Sequence, residues 1–182
     1  KFKKKFNVNI FGVNDISHAK DHFFVGYYDI DPLSSSKDVI LCHRVSKNFT
    51  SKVLPKYGDI GLMSISSGNF IKLTETKSLN WQLGSRAQWL NDNAVIYNDI
   101  DNDYHISRIF SVDKKKIIKE FKRSFWAISP NKKIGASLNF SRIKDKRPGY
   151  GYNGKSIDDK EEIFSLFDLE TGEDNYVISL DN

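Results

Sequence analysis

The amino-acid sequence predicts an all-β fold built from four-stranded antiparallel units repeated about three times. Three observations carry this reading: strand-type runs follow one another along most of the chain, hairpin signals recur between them, and no stretch shows convincing helical periodicity. With 182 residues, 39% hydrophobic and 13% aromatic, the chain is large and apolar enough to bury a genuine core.

The elements align in order. The stretch "FNVNIFGV" (6–13) reads as an additional strand. Three segments then share one pattern: "YYDIDPLSSSKDVILCHR" (27–44), "SRAQWLNDNAVIYND" (85–99) and "FWAISPNKKIGASLNFSR" (125–142). Each is a short strand, a polar turn and a β-rich strand that ends in polar residues. A second triplet follows in register, "DIGLMSISSGNFIKL" (59–73), "YHISRIFSVDKKKIIKEF" (104–121) and "EIFSLFDLETGEDNYVISL" (162–180). Each of these is a strand, a tight turn at "SSGN", "DKKK" or "ETGE", and another strand, with glycine supplying positive φ in two of the three turns. The anchor positions Ile65, Val112 and Leu169 lie 47 and 57 residues apart, close to the roughly 40–50 residue period of β-propeller blades once loop insertions are allowed.

The expected blades cover about 22–76, 80–121 and 123–180 within one partial domain, 1–182. Propellers usually have about four to eight blades, so three do not close a ring. The chain therefore reads as the N-terminal part of a larger, six- to eight-bladed propeller, completed by missing blades or by a second copy. A β-sandwich with coincidental spacing is the competing fold.

Several function classes drop out. No run approaches the roughly 18 apolar residues of a membrane span, and "KFKKKF" lacks the apolar core of a signal peptide. A cytoplasmic location is expected, with neither membrane nor nucleic acid as partner. Much of the net charge of +5 comes from four lysines in the first five residues, which read as a solvated tail. The lone Cys42, inside "VILCH", reads as a small buried thiol. His18, His22, His43 and His105 never take up a close metal-ligand spacing. "DIDNDYH" (99–105) has aspartates at alternate positions but lacks the glycine and glutamate of an EF-hand. No cofactor is expected within this chain, a divalent metal being reserved for the complete protein, and no catalytic nucleophile–base pair can be assigned.

In a propeller, the loops joining second to third strands and the links between blades share one face. Here those are the longer segments 45–58, 99–105 and 143–161 and the links 74–84 and 121–124, and long loops on a rigid scaffold are where binding usually resides. This assignment gathers His43, Arg44, Asn98, Asp99, Asn139 and Arg142 at the ends of second strands, with His22 and Arg86 at the starts of first strands. The loop "KDKRPGYGYNGK" brings Arg147, Tyr150 and Tyr152 to the same face. Guanidinium pairs two-pronged with carboxylate and phosphate, and tyrosines offer flat hydrogen-bonding surfaces, so an acidic sugar or other anionic small molecule is the expected ligand. For each residue taken singly, the opposing reading is structural: strand-end arginines bind neighbouring backbone, and tyrosines pack their own loop down.

The segments "HFFVGYYDIDP" (22–32), "QWLNDNAVIYND" (88–99), "SLNFSRIKDKRPGYGY" (137–152) and "IFSLFDLETGE" (163–173) together resemble a bacterial family of β-propeller proteins similar to the TolB-like and oligogalacturonate-lyase-like propellers. The "RPGYGY" segment is the most distinctive part, and "DLETGE" is generic to many propellers. The resemblance implies about seven blades, of which this chain supplies roughly the first half. It also implies that the metal-binding histidines of such lyases belong mostly to later blades, and no position here matches them. The expected function is a carbohydrate-related propeller that binds or processes an acidic saccharide on the long-loop face. If it is a lyase, the base lies outside these residues or is His22 or His43. A non-catalytic propeller scaffold for protein–protein interaction is the alternative.

Overall fold

Each predicted unit closes as a four-stranded antiparallel meander in chain order. A computed structural model describes residues 21–46, 48–49, 56–147, 149–156 and 162–179; the expected strand at 6–13 lies outside them. The first sheet holds β1 (Asp21–Phe24), β2 (Val39–Ser46), β3 (Gly58–Ser64) and β4 (Phe70–Thr76). The middle sheet holds β5 (Gln88–Asn91), β6 (Ala94–Asp101), β7 (Tyr104–Ser111) and β8 (Lys116–Phe121). The third holds β9 (Ala127–Ile128), β10 (Ile134–Leu138), β11 (Glu162–Asp168) and β12 (Asp174–Ser179), with one helix, α1 (Phe140–Lys146), between β10 and β11.

The repeat is visible at the level of single hydrogen bonds. Ile65 N–H donates to the Asp38 carbonyl (2.9 Å), Val112 N–H to Asn93 (2.8 Å) and Leu169 N–H to Lys133 (2.8 Å), so each anchor ties its outer hairpin to its inner one. The outer turns also correspond. Gly68 and Gly172 take φ of 69° and 83°, and at the matching place in "DKKK" Lys115 is forced to φ 51°, a region that a side chain enters only at a cost.

Packing stacks the sheets in sequence. Leu41 and Ile60 of the first sheet meet Ala87, Val95, Tyr97 and Phe110 on one side of the middle sheet. Ala94, Ile96, Ile109 and Phe121 on the other side meet Phe125, Phe167 and Leu169 of the third unit. Because both faces of the middle sheet are covered, Ala94–Asp99 of β6 is buried without a break, as expected of a strand that meets no water on either side. Three four-stranded meanders stacked face to face are three blades of a propeller, and the competing β-sandwich is ruled out by the separation into three sheets.

Three local expectations change. The segment 27–44 does not open on a strand: residues 28–29 form a turn, and the first strand of this sheet is β1, paired with the far end of β2. The stretch 99–105 is not a long loop: β6 and β7 run on to Asp101 and Tyr104, joined through Asn102 (φ 46°) and Asp103 (φ 68°), the doubly positive geometry of the tightest hairpins. Residues 140–146 form α1, where 140–142 were expected to end the second strand and 143–146 to begin a loop. Asn139 caps it by accepting from Arg142 N–H (3.0 Å), and Lys144 and Lys146 occupy its last turn, where cations complement the helix dipole. Seven residues are too few for a helical period to show in sequence.

Candidate functional site: a tyrosine surface held by a strap

The chain from Asn139 to Ser156 leaves the third sheet and crosses over the middle one as a strap. Lys155 forms a parallel bridge with Tyr104. His105 N–H donates to the Lys155 carbonyl (2.7 Å), and Lys155 N–H donates to Asp103 (2.8 Å). His105 Nε2–H donates to the Asn153 carbonyl at 2.7 Å, and burial pushes this imidazole's pKa down, so the ring is held neutral. Farther along, Asn80 in the link between the first two sheets donates from Nδ2 to the carbonyls of Gly149 (2.9 Å) and Gly151 (3.3 Å). The strap therefore engages all three units. Its tightest approach is at Gly151, where a Cβ would stand 2.4 Å from the Phe140 carbonyl oxygen at φ 78°, so only glycine fits.

Beneath the strap, Tyr152 is buried, stacked on Phe140 (4.6 Å) and edge-on to His105 (6.2 Å), and burial raises its phenol pKa. Above it a different set is displayed. Tyr150 meets Tyr27 edge-on at 6.3 Å, Tyr27 lies against Tyr28 at 4.3 Å, and the Arg147 guanidinium sits 5.0 Å from the Tyr150 ring centre. Tyr28 is 88% exposed. Hydrogen bonding with Tyr150, and then with Tyr28, pushes the Tyr27 phenol up to about 12, so this hydroxyl remains a donor throughout the physiological range.

The residues expected at the site separate into two groups. His43, Arg86, Asn98, Asp99 and Asn139 are buried inter-blade or capping groups. Asn98 reaches the next unit, donating from Nδ2 to the Phe125 carbonyl (2.8 Å) and accepting Phe125 N–H on Oδ1 (2.8 Å). His43 does the same one unit earlier: Nε2 accepts Ser85 N–H (3.0 Å) and lies 2.8 Å from Ser85 Oγ. That spacing would suit a nucleophile and its base, but both residues are fully buried, and burial pushes the imidazole down to about 4. The pair is sealed from any substrate and serves as a brace. Asp99 accepts Lys77 N–H (2.8 Å) and pairs with Arg108.

Arg86 is the central rivet. Only 1% exposed, it forks onto both Asp29 oxygens (2.8 Å each), donates from Nε to the Trp126 carbonyl (2.8 Å) and lies 4.4 Å over the Trp126 ring. One side chain thereby joins segments of all three units. Arg44 is elsewhere, paired to Asp59 (2.6 Å) beside a cleft of about 490 Å³ that Lys56 and Tyr57 also line. His22 is exposed, edge-on to Trp81 at 5.9 Å, and Arg142 is half-exposed on α1. Only Arg147 and Tyr150 of the expected set meet at the tyrosine surface. Tyr27 and Tyr28 were missed: "GYYD" carries no local signal of a site, and Tyr150 reaches them only through the strap. Among the described residues no cluster of histidine, cysteine and carboxylate side chains could hold a metal ion.

The three stacked four-stranded meanders define a β-propeller segment. No family model and no curated protein matches the chain. Among solved structures it is similar to the β-propeller domain of the Trilobed protease from Pyrococcus furiosus, whose topology is described as open velcro, with 14% identity and a TM-score of 0.47. The match covers 80% of this chain and 41% of that one, so this chain spans less than half of that structure. No helix among the described residues is long and apolar enough to cross a membrane.

Proposed function

We propose that this protein is a carbohydrate-binding propeller that takes an acidic saccharide on the surface formed by Tyr27, Tyr28, Tyr150 and Arg147. The observation that carries the reading is the cluster itself, in which Tyr28 is exposed while Tyr27 and Tyr150 are half-buried and packed against Leu83, Phe140 and Tyr152. Three tyrosine rings from two remote segments converge beside a guanidinium that stacks on one of them, and that guanidinium has no carboxylate partner among the described residues. The exposed ring of Tyr28 suits the apolar face of a pyranose ring, and an arginine fork suits its carboxylate. The resemblance that 22–32, 88–99, 137–152 and 163–173 together carry, to a family similar to the TolB-like and oligogalacturonate-lyase-like propellers, directs the choice to uronates, and Arg142 adds a second cation near Arg147. The role is binding; any lyase step would draw its base from blades beyond these three.

Calorimetric titration with oligogalacturonate, and with a neutral oligosaccharide of equal length, tests this. Binding confined to the acidic ligand is expected. Arg147→Ala should weaken it roughly tenfold or more, the worth of a charge-assisted hydrogen bond, and Tyr28→Ala should weaken it by a comparable factor. Equal affinity for both oligosaccharides, or none for either, would remove the proposal.

A further inference from the structure

The strap carries the chain's one asparagine–glycine pair, Asn153–Gly154, and the fold presents it in a reactive setting. In such a pair the glycine backbone nitrogen is a single ring closure away from the asparagine side-chain carbon, with no side chain of its own in the way. Both residues are exposed. Gly154 takes φ 105°, and its N–H donates to nothing among the described residues, so no hydrogen bond has to break before this nitrogen attacks.

The two carbonyls that the closure would join in one ring are each held by a donor. Lys144 Nζ donates to Asn153 Oδ1 (2.6 Å), and His105 Nε2–H donates to the Asn153 backbone carbonyl (2.7 Å). The ammonium stands where negative charge gathers on Oδ1 during attack, the arrangement of an oxyanion hole.

We infer that Asn153 is a self-modification site, converting without an enzyme to aspartate and isoaspartate through a cyclic succinimide. The Gly154 nitrogen gives its proton to solvent and bonds to Asn153 Cγ. The Cγ–Nδ2 bond breaks, and the amide nitrogen leaves as ammonia with a proton taken from solvent. Water then opens the ring. Addition at Cγ yields aspartate; addition at the backbone carbonyl yields isoaspartate, in which the chain runs on through the side chain. The balance is one water consumed and one ammonia released, with nothing oxidised or reduced.

The two products act differently on the strap. Aspartate keeps the backbone and sets a carboxylate against Lys144. Isoaspartate inserts a methylene into a backbone that is already pinned: Ser141 Oγ–H donates to the Gly154 carbonyl (3.1 Å), Lys155 N–H donates to Asp103 (2.8 Å), and His105 N–H donates to Lys155 (2.7 Å). It also turns the carbonyl that His105 Nε2 holds into a free carboxylate. The isoaspartate form therefore loosens the strap from His105 and Asp103.

Peptide mapping by mass spectrometry of the 182-residue chain, aged in mildly alkaline buffer, reads the reaction in the tryptic segment 147–155, where Asn153 is the only side-chain amide. Chromatography separates the asparagine, aspartate and isoaspartate forms. Conversion no slower than in a synthetic peptide of the same sequence is expected. Lys144→Ala should slow it roughly tenfold, the worth of a hydrogen bond to a charged group, and Lys144→Arg should restore it. Circular dichroism verifies folding of each variant; both leave Gly154 untouched, where a Cβ would stand 2.9 Å from the His105 ring. In the isoaspartate fraction the His105 and Lys155 amides should exchange with deuterium faster, whereas Asn153→Asp, which adds the charge alone, should leave them protected. Asn153 intact in the folded chain after the peptide has converted would overturn the site. A rate unmoved by Lys144→Ala would overturn the part given to Lys144, and unchanged exchange in the isoaspartate form would overturn the loosening of the strap.

Discussion

Removing Asp29 should destabilise the protein more than removing Arg86, although the two form a single ion pair. The reason is their unequal burial: Arg86 is 1% exposed and Asp29 is 37% exposed. In Asp29→Ala the guanidinium keeps its bonds to the Trp126 carbonyl but becomes a buried cation without a counter-charge. Breaking a buried pair in this way costs about 3–5 kcal/mol. In Arg86→Ala the abandoned carboxylate can hydrate. What remains is the unpaired Trp126 carbonyl, about 1–3 kcal/mol, together with lost packing on the Trp126 ring, for roughly 2–4 kcal/mol overall. The double variant Asp29→Ala/Arg86→Met should recover part of the loss, because the uncompensated charge is gone. Urea unfolding followed by tryptophan fluorescence measures all three. Asp29→Ala within about 0.5 kcal/mol of the wild type, the size of an ordinary surface substitution, would refute the rivet.

Two further outcomes follow from the repeat and from the buried histidines. Lys115→Gly should stabilise the protein by roughly 0.5–1 kcal/mol, since it places glycine where Gly68 and Gly172 already stand with positive φ; a lower melting temperature would show that Lys115 is not strained. Burial holds His43 at about 4 against an ordinary 6.5, so the unfolded chain takes up this proton first as pH falls. The stability contribution is complete above about pH 6.5 and is lost progressively down to about pH 4, on the order of 3 kcal/mol by linkage. His105 shifts in the same direction and adds to the slope. Urea midpoints that stay flat across this window would contradict a neutral, buried His43, and His43→Gln should flatten part of the slope.

The fold was legible because its information is local. Hairpin turns and alternating strands set the period, and Ile65, Val112 and Leu169 could be aligned because each closes an equivalent hydrogen bond. The site was legible only in part, because its information is not local. Arginine and asparagine at strand ends look alike whether they face a ligand or the next blade. Asn98 and Arg86 could be assigned to the interior only once Phe125, Trp126 and Asp29 were seen beside them. Tyr150 and Tyr152 stand two residues apart in one glycine-rich loop, yet Tyr152 is buried on Phe140 while Tyr150 faces Tyr27. The strap's path, fixed by Asn80 and His105 far upstream, decides which tyrosine is which.

The most direct measurement is an NMR titration of the tyrosine ring resonances with oligogalacturonate. Saturable shifts at Tyr27, Tyr28 and Tyr150, with Tyr152 unmoved, are expected of a ligand seated above the strap. Shifts confined to residues beside the Arg44 cleft, or no shift at any of the three tyrosines, would contradict it.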